Sequence, residues 1–101
     1  MGFIRVASLK ELDFHKMIAV KADGKEILIL DSGSKYYAIG NLCAHMGCLL
    51  SDGVLNGDNI QCKCHGSVFD VKTGEVIKGP AKKPVPTFEV KVDWDQILVS
   101  V

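Results

Sequence analysis

The sequence predicts an all-β fold whose base is an antiparallel sandwich or barrel, with a ligand-bearing subdomain inserted into it. Three observations lead to this prediction. Asp23-Gly24 is a two-residue hairpin signal between apolar segments. Residues 27–30 are all apolar, which favours a strand that is buried on both faces. Apolar and charged residues alternate over 88–92, and the alternation resumes over 97–101, which predicts a terminal hairpin.

In chain order, the first predicted elements are an edge strand at residues 3–6 and a helical turn at residues 9–12. Ser8 is followed three residues later by Glu11, a capping-box pattern that indicates where the turn begins. His15 has no cysteine or carboxylate patterned around it, so we assign it no role. The next strands are predicted at residues 17–20, 27–30 and 36–39, with a second turn at residues 31–34.

Length and charge restrict the classes of function. The chain has 101 residues, which is enough for one domain, and we expect a single domain over 1–101. Twelve basic and twelve acidic side chains cancel, so no global field favours nucleic acid or an anionic membrane. No apolar run approaches the roughly 20 residues of a membrane span, and the N-terminus lacks a secretion signal. We therefore expect a cytoplasmic monomer.

Periodicity disappears between about residues 40 and 70, where the chain is predicted to form the inserted subdomain. Short strands are expected near residues 54–55 and 59–61, joined by the hairpin dipeptide Asn56-Gly57. This segment contains all four cysteines and two of the three histidines. They lie in two motifs, Cys43-Ala44-His45-Met46-Gly47-Cys48 and Cys62-Lys63-Cys64-His65-Gly66-Ser67.

The two motifs are typical of a site for a soft metal. Each contains a Cys and a His two or three positions apart, and sixteen residues separate His45 from Cys62. Thiolate and imidazole ligands suit zinc, copper or an iron–sulfur centre better than calcium or magnesium. A zinc site also accepts two Cys and two His. A four-cysteine [2Fe–2S] cluster is a further alternative, although the spacing from Cys48 to Cys62 is too long for the plant-type pattern.

The motifs, together with residues 66–70 and Gly79-Pro80-Ala81, resemble those of Rieske iron–sulfur proteins. The resemblance covers about residues 16–101 and implies a Rieske-type fold with one [2Fe–2S] cluster. In such a cluster two histidines replace two cysteines on one iron. By position, Cys43 and Cys62 would bind one iron, and His45 and His65 the other.

The resemblance also implies roles for residues around these ligands. High-potential Rieske proteins join their cluster loops by a disulfide from the positions of Cys48 and Cys64, whereas two buried free thiols are the simpler alternative. Gly66, Ser67, Phe69 and Pro80 are expected to surround the cluster, and the proline-rich residues 79–86 to cover it. Ser67 can donate a hydrogen bond to sulfur and so raise the reduction potential, whereas Phe69 lacks the hydroxyl of the tyrosine found in high-potential relatives.

The resemblance implies a one-electron carrier that passes electrons between redox protein partners, such as a reductase and an oxidase or oxygenase. The sequence contains no pairing of a nucleophile with a base, so we expect the protein to transfer electrons and not to act as an enzyme itself. One alternative is an obligate Rieske subunit of a larger oxidoreductase, of the ring-hydroxylating oxygenase, nitrite reductase or arsenite oxidase type. The other alternative is a structural zinc domain.

Overall fold

A computed structural model describes residues 2–33, 35–42, 48–64, 66–79 and 81–100, with the side chains of residues 13–15 outside the description. The described chain is nearly all β, as predicted. Its elements are β1 (Phe3–Ser8), α1 (Leu9–His15), β2 (Met17–Ala22), β3 (Lys25–Asp31), β4 (Tyr36–Gly40), a 3-10 turn (Leu50–Asp52), β5 (Val54–Asn56), β6 (Asn59–Gln61), β7 (Val68–Asp70), β8 (Val76–Lys78), β9 (Thr87–Asp93) and β10 (Gln96–Ser100).

The base of the fold is a six-stranded antiparallel sheet in the order β1-β10-β9-β4-β3-β2. Its two edge strands, β1 and β2, also lie against each other, so the sheet curls into a near-barrel. Asp23 and Gly24 both have positive φ, 52° and 75°, as the predicted tight turn between β2 and β3 requires. The terminal hairpin is confirmed as β9 and β10.

Helix α1 begins where the capping-box pattern predicts, because the Ser8 backbone N–H donates to the Glu11 carboxylate at 2.9 Å. The helix runs to His15, three residues beyond the predicted turn, and ends at Lys16 with a left-handed φ of 66°. Leu12 is fully buried among the apolar residues of the base, so the helix is held against the sheet by tertiary packing.

A second, four-stranded antiparallel sheet in the order β5-β6-β7-β8 is inserted between β4 and β9. Strands β4 and β9 pair with each other in the base sheet, where Ala38 lies opposite Phe88 and Ile39 lies opposite Thr87. The second sheet runs on to Lys78, so it includes strands β7 and β8, which the sequence did not predict. The bounds of the predicted domain and subdomain stay predictions.

Strand β3 belongs to both hydrophobic cores. Ile27 and Ile29 face one core, which we call the base core, and Leu28 and Leu30 face the other, the site core. All four side chains are completely buried, which confirms the double burial predicted from the apolar run. The base core also contains Ala7, Leu12, Ala22, Ala38, Ile97 and Val99, and the site core Ile39, Leu50, Ile60, Cys62, Phe69, Val71, Ala81 and Val85.

Within the described ranges, no helix has the length and apolar character that a membrane crossing demands.

Candidate metal centre

The first motif lies in a loop whose neck is closed by Asn41. The Asn41 side chain is 1% exposed; its Oδ1 accepts from the Ser51 backbone N–H at 2.8 Å, and its Nδ2 donates to Ser51 Oγ at 3.2 Å. The Leu50 backbone N–H donates to the Asn41 carbonyl at 2.7 Å, and Leu42 and Leu49 form an isolated antiparallel bridge. Residues 43–47, including the predicted ligands Cys43 and His45, lie outside the described residues.

The second motif connects β6 to β7 in a tight loop. The Cys62 backbone N–H donates to the Ser67 carbonyl at 2.7 Å, and the Gly66 N–H donates to the Cys62 carbonyl at 3.1 Å. Gly66 has φ of 78°, a left-handed conformation that favours glycine, so the loop closes without strain. Cys62 is 2% exposed and belongs to the site core. The predicted ligand His65 lies outside the described residues.

A disulfide between Cys48 and Cys64 joins the two loops, with 6.5 Å between the Cα atoms. The pairing implied by the Rieske resemblance is therefore confirmed. In the described part of the chain, Cys62 is the free cysteine, and its Sγ lies within 4.8 Å of the Sγ atoms of Cys48 and Cys64. The disulfide thus holds the end of the first motif beside a buried thiol of the second.

Residues 81–86 of the proline-rich stretch begin against the second motif and are held along their length by backbone hydrogen bonds. The Ala81 backbone N–H donates to Ser67 Oγ at 3.0 Å, and Ala81 is buried in the site core. Further along, the Val85 N–H donates to the Gly74 carbonyl at 2.9 Å, and Gly40 donates to the Pro86 carbonyl at 2.8 Å. Pro80 itself lies outside the described residues. The stretch is therefore anchored at three points along its length.

The residues beside Cys62 suit a metal–sulfur group. Ser67 is completely buried, and its Oγ accepts the Ala81 N–H, so its own hydroxyl proton remains for a further acceptor. A buried free thiol next to a buried hydroxyl donor matches the needs of a metal-bound thiolate, which is stabilised by hydrogen bonds to sulfur. Phe69 is fully buried in the site core and adds only apolar surface. The donor set therefore fits a [2Fe–2S] cluster.

Several residues that shape the site belong to no recognisable sequence motif. Asn41 and Ser51 are ordinary loop residues in sequence, and only the fold brings them together. A Cβ on Gly53 would overlap the Gln61 carbonyl oxygen, and one on Gly74 would overlap the Val85 carbonyl oxygen. Both glycines therefore permit close backbone approaches that position the motif loops.

Charge plays a small part in holding the second sheet. Lys72 Nζ lies 2.9 Å from Asp58 Oδ2, which ties the β5–β6 turn to the segment after β7. The hydrogen bond and the charge of Asp58 raise the pKa of Lys72 above its ordinary value. Both side chains are substantially exposed, so this pair contributes little stability.

Comparison with known proteins defines the class. A family model, the Rieske [2Fe-2S] domain, matches residues 2–89, and the chain belongs to this family. It therefore binds a [2Fe–2S] cluster, and the alternative of a structural zinc domain is set aside.

Relatives narrow the class to ferredoxins. The chain is 33% identical to the ferredoxin component of the naphthalene 1,2-dioxygenase/salicylate 5-hydroxylase systems of Ralstonia sp., over 99% of this chain and 96% of the relative. The solved ferredoxin of carbazole 1,9a-dioxygenase from Nocardioides aromaticivorans IC177 is 36% identical, with a TM-score of 0.92, over 99% of this chain and 98% of the other. A ferredoxin in a complex of reduced oxygenase and oxidized ferredoxin in carbazole 1,9a-dioxygenase matches with a TM-score of 0.90 and 29% identity, over 97% of this chain and 92% of the other.

The fold and the site are thus those of a Rieske ferredoxin. The chain is a one-electron carrier with a [2Fe–2S] cluster, and the relatives named above are ferredoxins of dioxygenase systems.

Proposed function

We propose that this chain is the ferredoxin component of a ring-hydroxylating oxygenase system, in which it takes one electron from a reductase and delivers it to the oxygenase. The observation that carries the proposal is the likeness to a ferredoxin component of dioxygenase systems over nearly the full length of both chains. The buried Cys62 thiol, held at the junction of the two motif loops, supports the presence of the one-electron cluster. The solved complex of an oxygenase with a related ferredoxin supports the choice of acceptor.

We propose Cys43 and Cys62 as ligands of one iron, and His45 and His65 as ligands of the other. The position of Cys62 supports its part of this assignment, since its free thiol lies in the site core near the buried Ser67 hydroxyl, and hydrogen bonds to sulfur stabilise a metal-bound thiolate. The bound cluster supplies the one-electron chemistry. The chain's own contribution is to exclude water through the site core and to hold the loops in place through the disulfide, Asn41 and residues 79–86.

Metal analysis and EPR of the purified protein test the ligand assignment. We expect two irons and two sulfides per chain, and a reduced-state EPR spectrum of a mixed His/Cys cluster. Changing any one of Cys43, Cys62, His45 and His65 to Ala should abolish or alter that spectrum. His15→Ala is the matched control, because His15 lies outside both motifs, and its spectrum should equal that of the unchanged protein. A single zinc in the metal analysis would contradict the proposal.

Electron delivery requires a separate test. An oxygenase system reconstituted without its own ferredoxin component should regain product formation when this chain is added with reductase and oxygenase. The cytoplasm remains the predicted compartment and a monomer the predicted state, to be checked by cell fractionation and by sedimentation. A chain that co-purifies only as a fixed subunit of a larger oxidoreductase would instead support the alternative of an obligate Rieske subunit.

A further inference from the structure

Charge is unevenly distributed along a chain whose net charge is zero. The described residues 41–42, 48–53, 61–64, 66–68, 77–79 and 81–86 lie in or beside the two motifs and the proline-rich stretch, and we call them the cluster-end segments. They contain four lysines and one acidic residue, Asp52. The rest of the chain therefore has eight basic and eleven acidic residues, from totals of twelve each. The cluster-end segments have a net charge of +3, and the remainder has −3.

The fold gathers the four lysines around the second motif. Lys63 lies within the second motif, between Cys62 and Cys64. Lys78 belongs to β8 and pairs with Val68, the residue that directly follows the second motif. Lys82 and Lys83 follow Ala81, whose backbone N–H is bonded to Ser67. All four lysines are exposed.

These four charges are not neutralised within the described part of the chain. There the ion pairs are Lys16 with Asp31 and Lys72 with Asp58, and neither involves a lysine of the cluster-end segments. Asp52, which lines the same surface depression as Lys63, is the acidic residue of these segments. The lysines therefore present an excess of positive charge to the solvent.

Exposed apolar side chains accompany the lysines. Leu42 is 48% exposed and Leu49 38%, and both flank the first motif; Ile77, beside Lys78, is 53% exposed. Exposed apolar side chains accompanied by solvent-accessible charged ones are the composition of a transient protein interface. Apolar contact at such a surface supplies affinity, and the lysines supply orientation and rate of encounter.

We propose that the cluster-end segments dock onto an acidic face of the redox-partner protein, with Lys63, Lys78, Lys82 and Lys83 as the rim that selects that face. This inference rests on the proposed function and adds the chemistry of the partner surface. The opposed charges of the two parts of the chain orient the protein in the field of such a partner, so that the motif loops arrive first.

Voltammetry of the holoprotein at charged electrodes tests the docking chemistry without the natural partner. The probes are gold electrodes coated with carboxylate-terminated or ammonium-terminated monolayers. We expect electron exchange at least about tenfold faster on the carboxylate surface at low ionic strength, with the preference lost in high salt because screening weakens steering.

Two triple variants that change the net charge equally show whether the preference for the carboxylate surface depends on the lysines of the cluster-end segments or on the total charge of the protein. Lys78→Gln with Lys82→Gln and Lys83→Gln should remove most of the preference for the carboxylate surface. Lys10→Gln with Lys35→Gln and Lys91→Gln removes three exposed lysines outside the cluster-end segments and should retain the preference. Equal losses in both variants would overturn the proposal.

The remaining outcomes distinguish this inference from the proposed function. A reversible cluster couple with no preference between the two monolayers overturns the acidic-partner proposal and leaves the electron carrier intact. The absence of any cluster couple on either surface would refute the proposed function itself. Co-sedimentation of the holoprotein with phosphatidylglycerol vesicles, but not with phosphatidylcholine vesicles, would show that the lysines recognise a membrane and would also overturn the proposal.

Discussion

The base sheet and the second sheet are held together in different ways. The base strands are five to seven residues long and pair in antiparallel ladders, whereas each strand of the second sheet has three residues. The second sheet depends on links between distant residues: the Cys48–Cys64 disulfide, the Asn41 side chain and the Ser67–Ala81 hydrogen bond. Regular pairing is therefore sufficient for the scaffold, but the site needs individual tertiary contacts to fix its loops.

Strand β3 allows the two regions to be perturbed separately. Leu28 and Ile29 are adjacent and completely buried, but Leu28 faces the site core and Ile29 the base core. We expect Leu28→Ala and Ile29→Ala each to lower the free energy of unfolding by about 2–5 kcal/mol, because each leaves a cavity. Denaturant unfolding followed by circular dichroism measures both losses.

The two variants should differ in how they retain the cluster. Bleaching of the visible absorbance at a temperature below unfolding should be faster in Leu28→Ala, because its cavity lies in the core that contains Cys62. Ile29→Ala serves as the control of similar size and burial. Equal bleaching rates would mean that the two regions act as one cooperative unit.

The difference between the base sheet and the second sheet also explains which features the sequence predicts well. Residues 27–30 are a local run of apolar residues, and their predicted burial on both faces is confirmed. Asp23-Gly24 is a local turn signal, and the positive φ of both residues confirms the predicted turn. Strands β7 and β8 have only three residues each, too few to show a period of two, and the sequence does not predict them. The equally short β5 and β6 are predicted because the hairpin dipeptide Asn56-Gly57 joins them.

At the site, the sequence and the family resemblance predicted the disulfide partners and singled out Ser67, but not what Ser67 contacts. Its partner Ala81 is fourteen residues away and contributes a backbone N–H, which has no residue-specific signature. The neck formed by Asn41 and Ser51 is hidden for the same reason. Such contacts are set by tertiary structure, so motif spacing alone does not predict them.

Removal of the disulfide tests how far the second region depends on its links. The two cysteines are separated by 16 positions, and a crosslink of that span is worth about 3 kcal/mol in the chain-entropy model. We expect Cys48→Ser with Cys64→Ser to lose about that much stability, measured by denaturant unfolding, and to release iron faster. Reduction of the unchanged protein with a mild thiol should reproduce the effect. An unaltered iron-release rate would show that the other links are sufficient.

The neck of the first motif should contribute less than the disulfide. Asn41→Ala removes a buried acceptor from the Ser51 N–H and a donor to Ser51 Oγ, which should cost about 1–3 kcal/mol. Amide hydrogen exchange at Ser51 should accelerate accordingly. Asn41→Asp is the matched control, since it keeps the acceptor for the Ser51 N–H but lacks the donor, and its exchange should stay slower than that of Asn41→Ala. Unchanged exchange in Asn41→Ala would contradict this account of the neck.

The smallest expected effect concerns the reduction potential and depends on the hydroxyl of Ser67. This hydroxyl already accepts the Ala81 N–H, so its proton is available for a cluster or ligand sulfur, where it would stabilise the more negative reduced state. Ser67→Ala should therefore lower the potential by several tens of millivolts, since about 59 mV corresponds to a tenfold change for one electron and to about 1.4 kcal/mol. Voltammetry at fixed pH measures the shift.

Two further variants separate tuning of the potential from loss of structure. Ser51→Ala breaks a hydrogen bond at the neck of the first motif and should weaken the loop without changing the potential, because Ser51 is bonded to Asn41. Phe69→Tyr should raise the potential when its hydroxyl donates to a ligand sulfur, because a hydroxyl buried in the site core needs a hydrogen-bond partner. If Ser67→Ala and Ser51→Ala both leave the potential unchanged, the Ser67 hydroxyl serves only to anchor Ala81. The second region would then position the cluster without tuning it.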